Sequence, residues 1–556
     1  MSLLSKLITL SILLIAISHA HACSLDIDNN GQQDALTDGL LLIRHEFGLT
    51  GVALTRNAIG PDAQRTDSNE IAAYINSQSC QQYFDVDGNQ SIDALTDGLL
   101  AIRYLFGLTG TALIQNALAD NASRHTPNDI VQWFTQSQPL MEIDTSFGTN
   151  GSTITSFYDS AYIRSSEGIK EMRIAPDGGI IVLGSAKHTF LETGSQSKYF
   201  PILAKYNTDG VLDLKFGNNG KSDIYRSGNW SVIAGGLGVN DTGDIFVGVD
   251  VESPFNDAIR IDTLSLDGKI KTQPHIFANF IENSLESWHE GIYWLVMRNN
   301  KPVVGGDTGS EDNFFSSDPS AYVIDPFNVP QKYGVEFGGD RWDVFYDAVV
   351  QSDGKLLAVG KAQWQNTDPQ VSHAWALARF NTNGTLDTTF GSNGKAMLSI
   401  TDGYGDAIYA VALQSDGKII VRGVTAGMVV NSPVEFIARF NTNGILDTTF
   451  GSDGMVDLGM QALVFGSNIL IQPNDKILFV RRGNSSTPSR LKRLNQDGDV
   501  DITFGDDGKG FDIGDTSVTP WNMQLQPDGK IIFAGTYFHP NSNSDFWIAR
   551  YHLLTQ

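Results

Sequence analysis

One phrase constrains this chain more than any other feature: ALQSDGKIIVRG at Ala412–Gly423, two short apolar runs around an Asp-Gly turn. It returns as RIAPDGGIIVLG (Arg173–Gly184), VVQSDGKLLAVG (Val349–Gly360) and LQPDGKIIFAG (Leu525–Gly535). A worn copy, IQPNDKILFVRRG, covers Ile471–Gly483, and weaker echoes lie at Asn240–Val249 and Met297–Gly306, making seven. Asp353, Asp416, Asn474 and Asp528 mark one turn position at spacings of 63, 58 and 54 residues. A period of this length sets the architecture before any single residue does.

The other half of each unit also repeats. FIARFNTNGILDTTFGSDG (Phe436–Gly454) matches LARFNTNGTLDTTFGSNG (Leu377–Gly394) and LAKYNTDGVLDLKFGNNG (Leu203–Gly220). Asp-Gly and Asn-Gly supply the positive φ of tight hairpins, and the β-branched residues beside them suit pleated strands. Four antiparallel strands per unit, repeated, describe a β-propeller. The pattern resembles the bacterial delta-60 repeat family over roughly Ile143 to Tyr551, which implies a propeller of seven blades, or six with an insertion if the degenerate third copy forms none. The Asp-x-x-Phe-Gly-x-x-Gly half first occurs at Asp144–Gly151, ahead of any hairpin, while the last hairpin ends at Phe546–Tyr551 without one. The N-terminal strand is therefore expected to complete the last blade and remove the exposed edges.

Residues 1–22 read as a secretory signal: Lys6, the apolar run Leu7–Ile17, then Ala20-His21-Ala22. The run is too short for a membrane span. Export to the cell surface, the periplasm or the medium follows, and a disulfide between Cys23 and Cys80, the chain's two cysteines, fits that compartment. Acylation of Cys23 is the other reading, and Ala20 and His21 match it poorly. The formal net charge of −25 argues against nucleic acid or an anionic membrane as partner.

Residues 23–138 hold an unrelated duplication. Asp26–Gly51 aligns with Asp85–Gly110 at an offset of 59, and the match continues through Asn57/Asn116, Arg65/Arg124, Ile71/Ile130 and Tyr74/Trp133. Oxygen-bearing residues fall at loop positions one, three, five and nine: Asp26, Asp28, Asn30, Asp34, and Asp85, Asp87, Asn89, Asp93. Gln32 and Ser91 would offer backbone carbonyls at position seven, and Asp38 and Asp97 close each loop at position thirteen. Alternating oxygen donors before an apolar, helix-spaced run are how a loop wraps a hard cation.

These units resemble dockerin-type modules built from EF-hand-like loops, which implies about two Ca²⁺ ions and a cohesin-like partner. Two departures stand out. The closing acid comes one residue late, and position six is Gly31 in one loop but Gln90 in the other, where Gly88 stands at position four, so the loop is expected to close differently. Capping of the following helices by Asp34, Asp38, Asp93 and Asp97 is the competing reading. The module's 14 acids and 5 arginines, with no lysine, favour a bound cation of modest affinity, roughly 10⁻⁴–10⁻³ M. The unit is also longer than a dockerin's, by an amphipathic segment such as Asn69–Ser77.

The propeller shows no His-Glu-x-x-His, Gly-x-Ser-x-Gly or phosphate-cradling loop. Its recurring Asp387/Phe390, Asp447/Phe450 and Asp501/Phe504 read as framework, because catalysis needs a residue once and blades need it every time. Unrepeated residues of Asn256–Asp340 (Trp288, His289, Glu290, Asp307, Glu311, Asp312) and Trp230, Trp342 and Trp364 are where chemistry or sugar stacking would be sought. No catalytic residue is assigned. The expectation is a multi-domain, exported, non-catalytic protein: a small all-α module (23–138) and an all-β propeller (139–556) presenting a face to a protein or polysaccharide. A polysaccharide-degrading enzyme and a structural matrix component are the alternatives.

Overall fold

The computed structural model describes residues 24–553 apart from 31, 137–140, 158–161, 191–196, 223–230, 253–257, 272–274, 279–288, 310–320, 326–328, 336, 338–342, 364–372, 401–405, 426–432, 461–468, 502–503, 506–509 and 541–542. It forms two compact units, Met1–Pro139 and Leu140–Gln556. The signal segment and Cys23 lie outside the described residues, as do Trp230, Trp288, Trp342, Trp364, Glu311 and Asp312. Among the described residues no helix is long and apolar enough to cross a membrane.

In the first unit the named elements are short helices, and they follow the duplication. Leu40–Glu46, Val52–Thr55 and Ser68–Ile75 have counterparts in Asp97–Leu105, Thr111–Ile114 and Pro127–Gln136. Leu41, Leu42, Ile71 and Ile75 share one core with Leu100, Ala101, Ile130 and Phe134. Hydrogen bonds repeat at the same offset. The Arg44 Nη1 donates to the Leu54 and Arg56 carbonyls, and the Arg103 Nη1 to those of Leu113 and Gln115. Arg65 lies 3.8 Å over the Tyr74 ring and Arg124 3.7 Å over Trp133, each also donating to a carbonyl of its acidic loop, Ile27 or Val86. The amphipathic segment is the helix Ser68–Ile75, capped by the Asp67 carboxylate, which accepts from the Asn69 and Glu70 amides.

The second unit is a β-propeller. Its strands form six hydrogen-bonded sheets, five of four strands and one of nine. Seven separate sheets were expected, and the count is six. The degenerate third copy is not the cause, since His289–Arg298, Lys301–Gly309, Ala321–Asp325 and Val329–Val335 make a sheet of their own. Instead the last and first hairpins are joined by one parallel pairing, Ser544 with Ser166. The N-terminal strands Met141–Ile143 and Ser152–Thr155 pair antiparallel with Ser544–Leu553, so both ends of the repeat region share this sheet.

The recurring residues of each repeat meet at one point. Asp447 accepts from the Arg439 Nε at 2.8 Å, lies 3.0 Å from the Lys418 Nζ of its own Asp-Gly-Lys turn, and accepts from the Thr449 amide and hydroxyl. Arg439 also donates to the Gln496 carbonyl of the following repeat and stands 4.8 Å over Phe450. That ring in turn fills the space where Gly498, in the same following repeat, would carry a Cβ (2.9 Å). Asp387, Arg379, Lys355 and Phe390 repeat the arrangement against Thr442 and Gly444, and Asp501, Arg493, Lys476 and Phe504 repeat its core. Burial of such ions is tolerated because each is paired and hydrogen-bonded. Closure uses the same device: Arg550, from the last hairpin, donates to Asp144 at 2.7 Å, donates to the Thr208 carbonyl of the first repeat, and covers Phe147. Burial pushes the Asp144 carboxyl up, but the Ser146 hydroxyl and Arg550 outweigh it and hold it at about 2.

A second regularity lies in the first strand of each hairpin. Six of them carry a one-residue bulge, whose extra residue is Lys170, Gly235, Tyr293, Tyr346, Tyr409 or Trp521. The glycine ending the repeated phrase allows it. A Cβ on Gly184, Gly306, Gly360, Gly423 or Gly535 would strike the carbonyl oxygen two residues before the bulge, at 1.7–2.4 Å. Bulges re-aim a side chain and bend the strand.

Glu167 sits beside the pairing that joins the first and last hairpins. Its backbone amide donates to the Ser544 hydroxyl, and its buried carboxyl accepts from the Phe157 amide. Burial raises its pKa from 4.5 to about 8, with Phe157 and Lys221 opposing and Asp545 adding to the rise. The folded state thus holds a proton that the unfolded state releases, and stability contributed below pH 4.5 is lost as pH rises through about 8. Glu167→Gln should flatten that slope. Denaturation from about pH 5 to about pH 9 should show the variant gaining steadily on the wild type; parallel curves would contradict this reading.

Candidate metal centre

Each acidic loop gathers three carboxylates. Asp26, Asp28 and Asp38 place one oxygen each within 4.8 Å of the others, and Asp85, Asp87 and Asp97 do the same. Asp38 and Asp97, the late closing acids, do reach inward. The Asp38 Oδ1 accepts from the Ile27 (2.7 Å) and Asp28 (3.1 Å) amides, and its Oδ2 from the Asp34 amide (2.8 Å) and the Thr37 hydroxyl. Asp97 makes the equivalent bonds to Val86, Asp87, Asp93 and Thr96. These two acids are fully buried and tie the start of the loop to its end, and neither caps a helix.

Asp28 and Asp87 anchor each loop to the chain that follows its helix, through the Gly60 and Ala119 amides at 2.6 and 2.8 Å. Asp26 and Asp85 accept from the Asn30 and Asn89 amides. The Asn30 and Asn89 side chains accept from the Gln32 and Ser91 amides, so they brace the turn at this stage. Gln32 and Ser91 are exposed. Asp34 and Asp93 stand outside the three-carboxylate groups; Asp93 accepts from the Leu95 and Thr96 amides in the turn before the helix, and neither acid makes a side-chain cap bond to a helix. Cys80 is buried and disulfide-bonded.

The electrostatics are those of carboxylates held together in a dry place. Burial raises Asp28 and Asp38, and it raises Asp97 to about 6 against the hydrogen bonds that favour its ionised form, with Asp87 adding repulsion. A cation between the three would reverse that pressure. All donors are oxygens, with no thiol or imidazole in either group, which is the chemistry of a hard cation.

Gln90 itself takes the left-handed conformation at position six (φ 70°), while position four is left-handed in both loops, Asn29 at 58° and Gly88 at 73°. The loop's hydrogen bonds impose the geometry and the side chain bears the strain. Gln90→Gly should therefore stabilise the first unit by about 0.5–1 kcal/mol in urea denaturation, the left-handed penalty less the added chain entropy. A loss of stability would show that the Gln90 side chain contributes a contact of its own.

Of the unrepeated propeller residues named from sequence, His289, Glu290 and Asp307 lie on paired strands, His289 opposite Gly309 and Asp307 opposite Gly291 and Ala321. The bulge residues escaped sequence reasoning. The signal was present, since Lys170, Tyr346, Tyr409 and Trp521 each stand seven positions before an Asp-Gly turn at Asp177, Asp353, Asp416 or Asp528.

The repeats match a family model described as a domain of unknown function (DUF5122) beta-propeller, at residues 351–390, 414–450 and 526–553. No curated protein matches the chain. Among solved structures, a protein of unknown function from Dyadobacter fermentans is similar at 10% identity and TM-score 0.41, over 74% of this chain and 99% of that one. A GH93 α-L-arabinofuranosidase of Fusarium graminearum, solved with arabinobiose, is similar at 9% identity and TM-score 0.36, over 57% of this chain and 92% of that one. A GH74 xyloglucanase from Xanthomonas campestris follows at 11% identity and TM-score 0.30, over 69% and 59%. Likenesses this distant say nothing of chemistry in this chain.

Proposed function

We propose that this is an exported, calcium-loaded, non-catalytic binding protein. The helical unit holds one Ca²⁺ in each loop and attaches or orients the molecule, with a cohesin-like protein as the kind of partner its resemblance implies. The propeller presents a rigid face to a protein or polysaccharide ligand. The Cys23–Cys80 disulfide ties the segment before the first loop to the helix before the second.

The observation that carries this reading is the pair of matching acid groups, Asp26/Asp28/Asp38 and Asp85/Asp87/Asp97, built with the same hydrogen bonds 59 residues apart. Two buried sets of like charge would oppose folding if left bare. The enzyme alternative would need free acids in the propeller. Glu171, Asp250 and Asp347 do converge there, but each accepts from a backbone amide of the following sheet, a framework duty.

Binding to the folded state alone raises stability by about 2.7 kcal/mol at a hundredfold excess over Kd. The helical unit's melting temperature should rise with millimolar calcium over a chelator, and Asp26, Asp28, Asp85 and Asp87 changed together to Ala should abolish the rise. Equal melting with calcium and chelator would sink the proposal.

A further inference from the structure

The bulges converge on the middle of the propeller. The first strands of the hairpins touch one another in cyclic order, from Tyr162–Ile174 through Ser231–Val239, His289–Arg298, Val344–Val350, Ala407–Leu413 and Ile469–Ile471 to Val518–Leu525, and back to Tyr162–Ile174. They therefore line the central channel. Each of the six bulges named above lies on one of these strands, so their extra residues form a tier around that channel; the corresponding position before Ile469 lies outside the described residues.

The tier is not uniform, and that separates it from the repeated framework. On three successive sheets the bulge residue is tyrosine. Tyr293 and Tyr346 meet edge to face at 5.3 Å, and Tyr346 and Tyr409 are tilted against each other at 5.0 Å, making a continuous, partly buried aromatic arc. The sheet preceding the arc carries Gly235, against which Ile292 of the next sheet packs so closely that a Cβ would stand 2.6 Å from it, and the one before that carries Lys170. Lys170 is exposed to solvent, yet it feels the charges of Glu171, Asp250 and Asp347, which come from three different sheets. Glu171 and Arg173 act in turn on Asp347 across the channel. The carboxylates are fixed in place by the amides of Leu237 (2.6 Å), Ile292 (2.9 Å) and Val411 (2.9 Å), each on the following sheet.

We infer that this tier is a binding site for a neutral saccharide, with Tyr293, Tyr346 and Tyr409 as its apolar wall and Lys170, Glu171 and Asp347 as its polar one. The class follows from the mixture of groups. A cation entering here would meet Lys170 and Arg173, and an anion would meet three carboxylates. A wholly apolar ligand would cover these charges and offer them no hydrogen bond in exchange for water. A neutral polyol has C–H faces for the aromatic rings and hydroxyls that both donate and accept, matching a mostly aromatic site with a few fixed polar groups. The inference rests on the reading of the propeller as the ligand-binding unit and names its site and ligand.

The test is calorimetric titration of the full calcium-loaded chain with a panel of neutral hexose and pentose oligosaccharides, repeated on Tyr346→Ala, Tyr409→Ala and Lys170→Gln. The expected result is binding of at least one linkage type, weakened tenfold or more by each substitution, with an unchanged product-free ligand after incubation and unchanged calcium-dependent melting of the helical unit. Tyr346→Phe should retain binding, since it keeps the ring, and guards against a folding defect. Binding that survives all three substitutions would place the saccharide elsewhere and overturn the channel site while leaving the binding reading intact. No binding across the panel would overturn the saccharide assignment, and the melting assay would still report independently on the calcium-loaded unit.

Discussion

The propeller depends on a buried arginine held between a carboxylate and an aromatic ring. Arg379, Arg439, Arg493 and Arg550 each bond the Asp of their own repeat and cover its Phe, and in at least three of the four the guanidinium continues to a carbonyl of the following repeat. An interaction of this kind cannot be satisfied within one sheet. Each blade needs its neighbour, and the ring needs its ends joined, which is why the Asp144 and Phe147 half can stand hundreds of residues from Arg550 and still be read as the same unit. The first repeat shows what a departure looks like: Lys205 stands in the arginine's place, bonding Asp177 at 2.7 Å and reaching Asp213 at 3.5 Å, without the planar fork that covers a ring.

This division of labour explains why the recurring acids are poor candidates for chemistry. Their charges are consumed by lysine, arginine and threonine partners, and Asp387 and Asp447 are held well below the usual carboxylate range despite burial. What the framework leaves free to vary is the bulge tier. A glycine in the second strand admits the bulge, the bulge points an extra residue at the channel, and its identity changes from sheet to sheet. Repetition builds the scaffold, and the single occurrences carry specificity.

Much of this was legible in the sequence, for physical reasons. Asp-Gly turns, the DxxFGxxG half and its displaced first copy announced the repeats and their closure, because turn chemistry and period are local properties. Asp26, Asp28 and Asp38 were legible as a group because loop spacing puts them together. Three features were not. The sheet count fell to six through one pairing between Ser166 and Ser544, a long-range contact with no local signature. Gln90 kept a left-handed conformation that side-chain preference argues against, because the surrounding hydrogen bonds outweigh it. The tyrosine arc was not read because a bulge is a property of register between two strands, so the constant spacing of Tyr346 and Tyr409 from their Asp-Gly turns gains its meaning only once the strands are paired.

The most direct test of the account is a count of calcium ions retained by the intact chain, by native mass spectrometry after exchange into dilute calcium. Two ions per chain, falling to one when either Asp28 or Asp87 is changed to Ala, is the predicted result. A chain that retains none, or whose ions are unaffected by both substitutions, would contradict it, since the two matching acid groups would then be without the cation that makes their burial intelligible.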